Sequence, residues 1–144
     1  MLPMLRAACA LLLTLVIASG SWAQSEVDFD RTAACVAALK PKAATLAERY
    51  RAGDDTVRNE LTGLTEAGFA LIGVAYEAGL RKEDADRRLE LAEEAQKAMP
   101  GAKLDELATA CHAEGAAVLA RANAVERAVV KHAARGRISR IRDK

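Results

Sequence analysis

Residues 103–135 read KLDELATACHAEGAAVLARANAVERAVVKHAAR. Leu104, Leu107, Cys111, Gly115, Val118, Ala122, Val125 and Val129 recur in this run at steps of three and four, which keeps them on one stripe of an α-helix. The spacing predicts a single helix from about Lys103 to about Arg135, with Gly115 as a point where it can bend. At ~1.5 Å per residue, about 33 residues reach roughly 50 Å.

Three further helices are predicted upstream. The first runs from Asp30 to Ala52, with Asp28 or Asp30 as N-cap and Gly53 past its end. Pro41 falls inside it and predicts a kink or break near Lys40, because proline lacks the amide donor and crowds the preceding turn. Leu39, Ala43, Leu46 and Tyr50 continue one face. The second helix opens at Asp54 or Asp55 and closes at Gly79, with a stripe of Val57, Leu61, Leu64, Gly68, Leu71 and Ala75. Gly63, Gly68 and Gly73 each cost about 1 kcal/mol of helix stability relative to Ala, so a groove for a neighbouring backbone is the expected return, with a hinge as the alternative.

The third helix spans 82–99 and stops at Pro100-Gly101. About 18 residues reach roughly 27 Å. Ala85, Leu89, Ala92 and Met99 form its apolar stripe. Its other face carries Glu83, Asp84, Asp86, Arg87, Arg88, Glu90, Glu93 and Glu94, mixed in sign as on a solvated face rather than gathered as a metal or acid/base cluster. No sustained alternation of period two marks a strand. Short Gly- or Pro-marked connections between helices predict an all-α fold, a small antiparallel bundle of about four helices with a long C-terminal helix.

Tyr50-Arg51-Ala52-Gly53 and Tyr76-Glu77-Ala78-Gly79 are similar tetrapeptides, each readable as a helix end capped by glycine. Around the second copy, Phe69, Ile72, Gly73, Tyr76, Ala85, Leu89 and Ala92 form a stretch that resembles one tetratricopeptide-like or Sel1-like helical hairpin. Lys97 stands where those families close the hairpin with proline. One such unit does not make a solenoid, which needs three or more stacked repeats, so no membership follows.

The chain has 144 residues, with 21 Lys and Arg against 20 Asp and Glu, and 51% of its residues are hydrophobic. That composition suits one globular domain and argues against both a disordered tail and a polybasic nucleic-acid binder. At the N-terminus, Arg6 precedes an apolar run from Ala7 to Ala18, and Ser21-Trp22-Ala23 puts small residues at the −3 and −1 positions of a cleavage site. The run is about 12 residues where a bilayer span needs about 20, so a cleaved signal peptide over 1–23 is expected rather than an anchor. The remaining expectations are a bundle domain over 24–134 and a basic tail over 135–144. The mature protein is expected to be exported, periplasmic or secreted.

Cys35 and Cys111 remain after cleavage. In an oxidising compartment two thiols are expected to form one bridge, although a link between chains or a free thiol stays open. Ala108-Thr109-Ala110-Cys111-His112 matches a haem-attachment run with its first cysteine replaced by alanine, so no cofactor is expected from it. Only His112 and His132 occur, without a clustered nucleophile, so no catalytic residues, no metal ligands and no enzyme activity are expected.

The predicted fourth helix outreaches the others. Its stripe at Val118, Ala122, Val125 and Val129 is expected to project past the body and bind a protein partner or a second copy of the chain. Beyond it, Arg137, Arg140 and Arg142 in the basic tail are expected to touch an anionic membrane or cell-wall polymer, or simply to complement the helix dipole. The expected function is that of an exported non-enzymatic helical protein acting by protein–protein interaction. The alternatives are a small-ligand carrier with a groove at Gly68/Gly73 and Phe69/Tyr76, and an inhibitor or immunity-type protein of the cell envelope.

Overall fold

The carboxylate of Asp28 accepts the amide of Arg31 at 3.0 Å and caps the first helix. A computed structural model describes residues 26–143, and the expected signal peptide over 1–23 lies outside them. Among the described residues the secondary structure is helical throughout: α1 (Phe29–Arg51), α2 (Arg58–Glu77), α3 (Lys82–Lys97), α4 (Gly101–Arg121) and α5 (Ala124–Arg142). A 3-10 turn, Asp55–Val57, leads into α2. Asp54 caps that turn by accepting the Thr56 amide at 3.1 Å. The Thr56 hydroxyl, followed by the Arg49 guanidinium, holds the Asp54 carboxyl below its ordinary range.

The break expected at Pro41 does not occur, and α1 runs unbroken through it. Pro41 sits on the solvent face, while Leu39, Leu46 and Tyr50 are buried to either side. A mid-helix proline costs about 3 kcal/mol, and each of those buried side chains returns roughly 1.5–3 kcal/mol, so tertiary burial overrides the local penalty. Both tetrapeptides close their helices in the same way. Gly53 and Gly79 adopt φ of 100° and 103°, and the following amides reach back, Asp54 to the Arg49 carbonyl and Leu80 to that of Ala75, each at 3.0 Å.

The core joins Leu39, Leu46 and Tyr50 of α1 to Leu61, Leu64 and Leu71 of α2, Cys111 of α4 and Ile138 of α5. Cys35 and Cys111 form an intrachain disulfide, with Cα atoms 5.1 Å apart and both residues fully buried. It closes a loop with a sequence separation of 76, for which the chain-entropy account assigns about 4 kcal/mol. One turn beyond it, α4 meets α2 at its closest. A Cβ on Gly115 would stand 2.5 Å from the Ala67 carbonyl oxygen and 2.7 Å from the Ala67 Cβ. The close approach expected at Gly68 and Gly73 is therefore displaced. Both of those glycines face open space, and Ala67 occupies the buried stripe in place of Gly68.

The largest correction concerns the single long helix. The chain breaks at Ala122-Asn123, where the Asn123 side chain accepts the amides of Val125 and Glu126, and the Glu126 carboxylate accepts the amide of Asn123, all at 2.9 Å. This capping box starts a fifth helix at the point where the apolar rhythm predicts continuity. Arg127 ties the elbow by donating to the Ala120 carbonyl at 3.1 Å. Instead of projecting, α5 folds back against α2 and α1 and buries Ala134 and Ile138. Residues 135–142 belong to this packed helix, so most of the basic tail is part of the folded body.

The α2–α4 seam makes opposite forecasts for two chemically identical changes. Gly115→Ala is expected to lose about 1–3 kcal/mol, because its methyl meets backbone that cannot yield cheaply. Gly68→Ala, entering open space in a helix, is expected to gain about 0.5–1 kcal/mol. Urea unfolding of the oxidised protein, followed by circular dichroism, measures both.

Candidate functional site

The residues expected to bind a partner fall around the α4–α5 elbow. Val118 is half-buried in the last turns of α4, and Ala122, also half-buried, is the C-cap of that helix. Val125 and Val129 lie one turn apart at the start of α5 and are 72% and 63% exposed. The break changes their relation, since a stripe continuous on one helix is now divided between two. The first pair is half-buried and the second faces solvent. The sequence Asn123-Ala124-Val125-Glu126 carried the signal for this break, because an N-capping side chain followed three residues later by Glu is a helix start even inside an apolar rhythm.

The three arginines expected to meet an anionic surface also separate. Arg142 turns onto the body. Its guanidinium lies 4.0 Å over the Tyr50 ring, donates to the Tyr50 carbonyl at 3.4 Å and pairs with Asp55. Arg137 and Arg140 instead stand at a groove of about 420 Å³ between α1, α2 and α5, beside Lys40 and Arg51. Ala43, Ala47, Leu61 and Ile141 make its apolar floor. Lys40 is paired with Glu93 and Arg51 with Glu48, so the positive character of the groove comes chiefly from Arg137 and Arg140.

A smaller and more apolar cavity, of about 150 Å³, lies between α1, α2 and α3. Phe29, Ala33 and Val36 of α1, Ile72 and Tyr76 of α2, and Ala85 and Leu89 of α3 line it, together with Leu80 from the connecting turn. The cavity lies along the same C-terminal half of α2 as the ligand groove expected at Gly68/Gly73, but on a different face, retaining Tyr76 and excluding Gly68, Phe69 and Gly73. The cavity exists because α3 is thinly packed. Of its side chains only Gln96 is buried, and its Nε2 donates to the Ala34 carbonyl at 2.8 Å. The apolar residues of the expected stripe, Ala85, Leu89 and Ala92, are only half-covered, and Leu91 is 65% exposed. Charge pairs supply the rest of the attachment, Arg88 to Asp30 and Glu93 to Lys40, while Lys82–Asp86, Arg87–Asp84 and Lys97–Glu94 stay within α3. Exposed pairs of this kind contribute about 0–1 kcal/mol each.

The remaining motif is answered by covalent chemistry. The Cys111 sulfur is bonded to Cys35, so it is not free to form a thioether, and the neighbouring His112 is half-buried against Gly63 of α2. Among the described residues no three His, Cys, Asp or Glu side chains gather as a metal-binding group. No helix among them is long and apolar enough to cross a membrane. Comparison with protein-family models, with curated proteins and with solved structures finds no match.

The divided arginines predict divided phenotypes. Arg142→Ala is expected to lower the unfolding free energy by about 1 kcal/mol, through its stacking and hydrogen bonds. The double change Arg137→Ala/Arg140→Ala is expected to leave stability within about 0.5 kcal/mol of wild type and to weaken co-sedimentation with anionic vesicles at low salt. Denaturant titration and sedimentation on the same preparations read the two effects.

Proposed function

We propose that this chain is an exported, non-enzymatic helical protein that acts by binding another protein at the α4–α5 elbow, after loss of a signal peptide over residues 1–23. The observation that carries the reading is the pair Val125 and Val129, two largely exposed apolar side chains one helical turn apart on a helix whose opposite side is buried. Val118 and Ala122 continue the apolar surface toward α4. Exposed apolar side chains grouped in this way favour a partner interface, either with another protein or with a second copy of the chain. An inhibitor or immunity-type role in the cell envelope is one form of the same reading. In an antiparallel arrangement of the helices, the elbow stands at one end of the body, where a partner has free approach. The Arg137/Arg140 groove gives the same protein an auxiliary contact with anionic polymer or lipid.

A second reading, a carrier of a small ligand, is favoured by the apolar cavity beneath α3.

The partner reading is tested with the oxidised chain from residue 24 to 144 and its Val125→Asp/Val129→Asp variant. Cross-linked capture from an envelope extract, or self-association in light scattering, is expected for the wild type. The variant is expected to lose it by at least about tenfold, as two buried apolar contacts of about 1 kcal/mol or more each would require. Because both valines face solvent, circular dichroism of the variant should match the wild type. A monomeric wild type that captures nothing, or equal capture by the variant, overturns the proposal.

A further inference from the structure

The groove between α1, α2 and α5 has an apolar floor and a rim of one sign. The floor follows from the sequence of α1, which presents Ala43, Ala44 and Ala47 to the groove, side chains that share one helix face and fill little of the gap. Ala43, Ala47 and Ile141 of α5 are half-covered and pack on the core, in which Leu61 is fully buried beneath them. Thr65 is the uncharged polar side chain of the lining, and its hydroxyl already donates to the Leu61 carbonyl at 2.7 Å.

The rim consists of Lys40 and Arg51 on α1 and of Arg137 and Arg140 on α5, and no acidic side chain is among the lining residues. Lys40 and Arg51 each have a carboxylate of their own. Arg137 and Arg140 stand three residues apart on α5 and make no ion pair among the described residues. Both are exposed, so an incoming anion reaches them directly.

Charge alone does not use the floor. A polyanion held by the two arginines would leave Ala43, Ala47 and Ile141 in water, and a bilayer face is too broad to enter a trough between helices. One alkyl chain ending in an anion answers both features. Its tail covers the floor, and its head meets a guanidinium pair whose planar forks match carboxylate geometry. From Lys40 to Arg51 the α1 wall runs about 16 Å at ~1.5 Å per residue. The groove, of about 420 Å³, falls in the range of roughly 300–1,000 Å³ common for small-molecule sites.

We propose that the groove between α1, α2 and α5 binds one molecule of a single-chain anionic amphiphile, a fatty-acid-like monomer, with its head on Arg137 and Arg140 and its alkyl chain along Ala43, Ala47 and Ile141. This rests on the reading of the groove as an anionic contact and deepens it by naming the ligand. It is independent of the α4–α5 elbow and of the cavity beneath α3.

The experiment titrates the isotopically labelled, oxidised chain from residue 24 to 144 with hexanoate, octanoate and decanoate, all below their micelle concentrations, followed by NMR. Saturable shifts are expected at Ala43, Ala47, Thr65 and Ile141. Affinity is expected to rise roughly two- to fourfold for each added CH₂, the range between a half-covered and a fully covered chain. Octanoate is expected to bind about tenfold more tightly than 1-octanol, as charge-assisted contacts at an exposed rim supply, and octyltrimethylammonium more weakly than either. Arg137→Ala/Arg140→Ala should bring octanoate to the level of octanol. Ala44→Glu, at an exposed position that sets a carboxylate beside the groove, should weaken octanoate and spare octanol. Because the wild-type shifts alone locate the site, a poorly folded variant does not remove the test. Absence of saturable shifts at those residues, affinity independent of chain length, or equal binding of octyltrimethylammonium overturns the proposal. Co-sedimentation with phosphatidylglycerol vesicles and binding of polyphosphate separate the two levels. Either one, dependent on Arg137 and Arg140 but without octanoate shifts, rejects this assignment and keeps the anionic contact, whereas finding none of these rejects both.

Discussion

Where α4 crosses α2, a single hydrogen on Gly115 occupies space in which any Cβ would press on the Ala67 carbonyl. One turn away, Cys111 is tied to Cys35 of α1. These two contacts set α4 against α1 and α2 at once, one by covalent length and the other by the absence of a side chain. Helices rich in alanine can exclude water only if their backbones come close, since small side chains fill little volume. The seam therefore determines how near the other elements must come. Leu61, Leu64 and Leu71 of α2 are covered because α4 and α1 are held at short range.

The elbow at Ala122-Asn123 is the second decision. Continuing α4 as one rod would leave the apolar residues of 124–142 in water. Reversal at Asn123 lets Ala134 and Ile138 join the core and brings Arg142 onto Tyr50. The capping box makes the turn inexpensive by satisfying amides that a new helix start would otherwise leave bare. Folding back covers only one side of α5. Val125 and Val129 remain on the other, which leaves two exposed apolar side chains at the elbow without a projecting rod.

On the opposite flank, α3 shows what a weakly amphipathic, strongly charged helix can do. It covers the space between α1 and α2 without filling it, because apart from Gln96 the side chains it turns inward are alanines and a leucine that are only half-buried. The hairpin that α2 and α3 resemble in sequence would pack those two helices on each other, whereas α3 packs chiefly on α1. A small apolar cavity is the result.

The sequence by itself determined the helical character of the chain and most helix ends, and it favoured the Cys35–Cys111 bridge that the structure shows, while leaving other states of the two thiols open. Those features follow from spacing, composition and caps, all of which act over a few residues or depend only on which residue types are present. Asp28, Gly53 and Gly79 act where they stand, whatever surrounds them. Tertiary structure decided whether Pro41 breaks α1, which glycine meets a neighbouring backbone, how the three tail arginines divide, and where the cavity lies. Each of these depends on a comparison between a local penalty and burial supplied by residues far along the chain. Leu39 and Leu46 outweigh the proline, and Ala67 rather than any neighbour of Gly68 makes the close contact. The fold-back of α5 stands between the two. Its cap was written in Asn123 and Glu126, but the direction of return was set by the uncovered faces of α1 and α2, which no stretch of the chain displays until the helices pack.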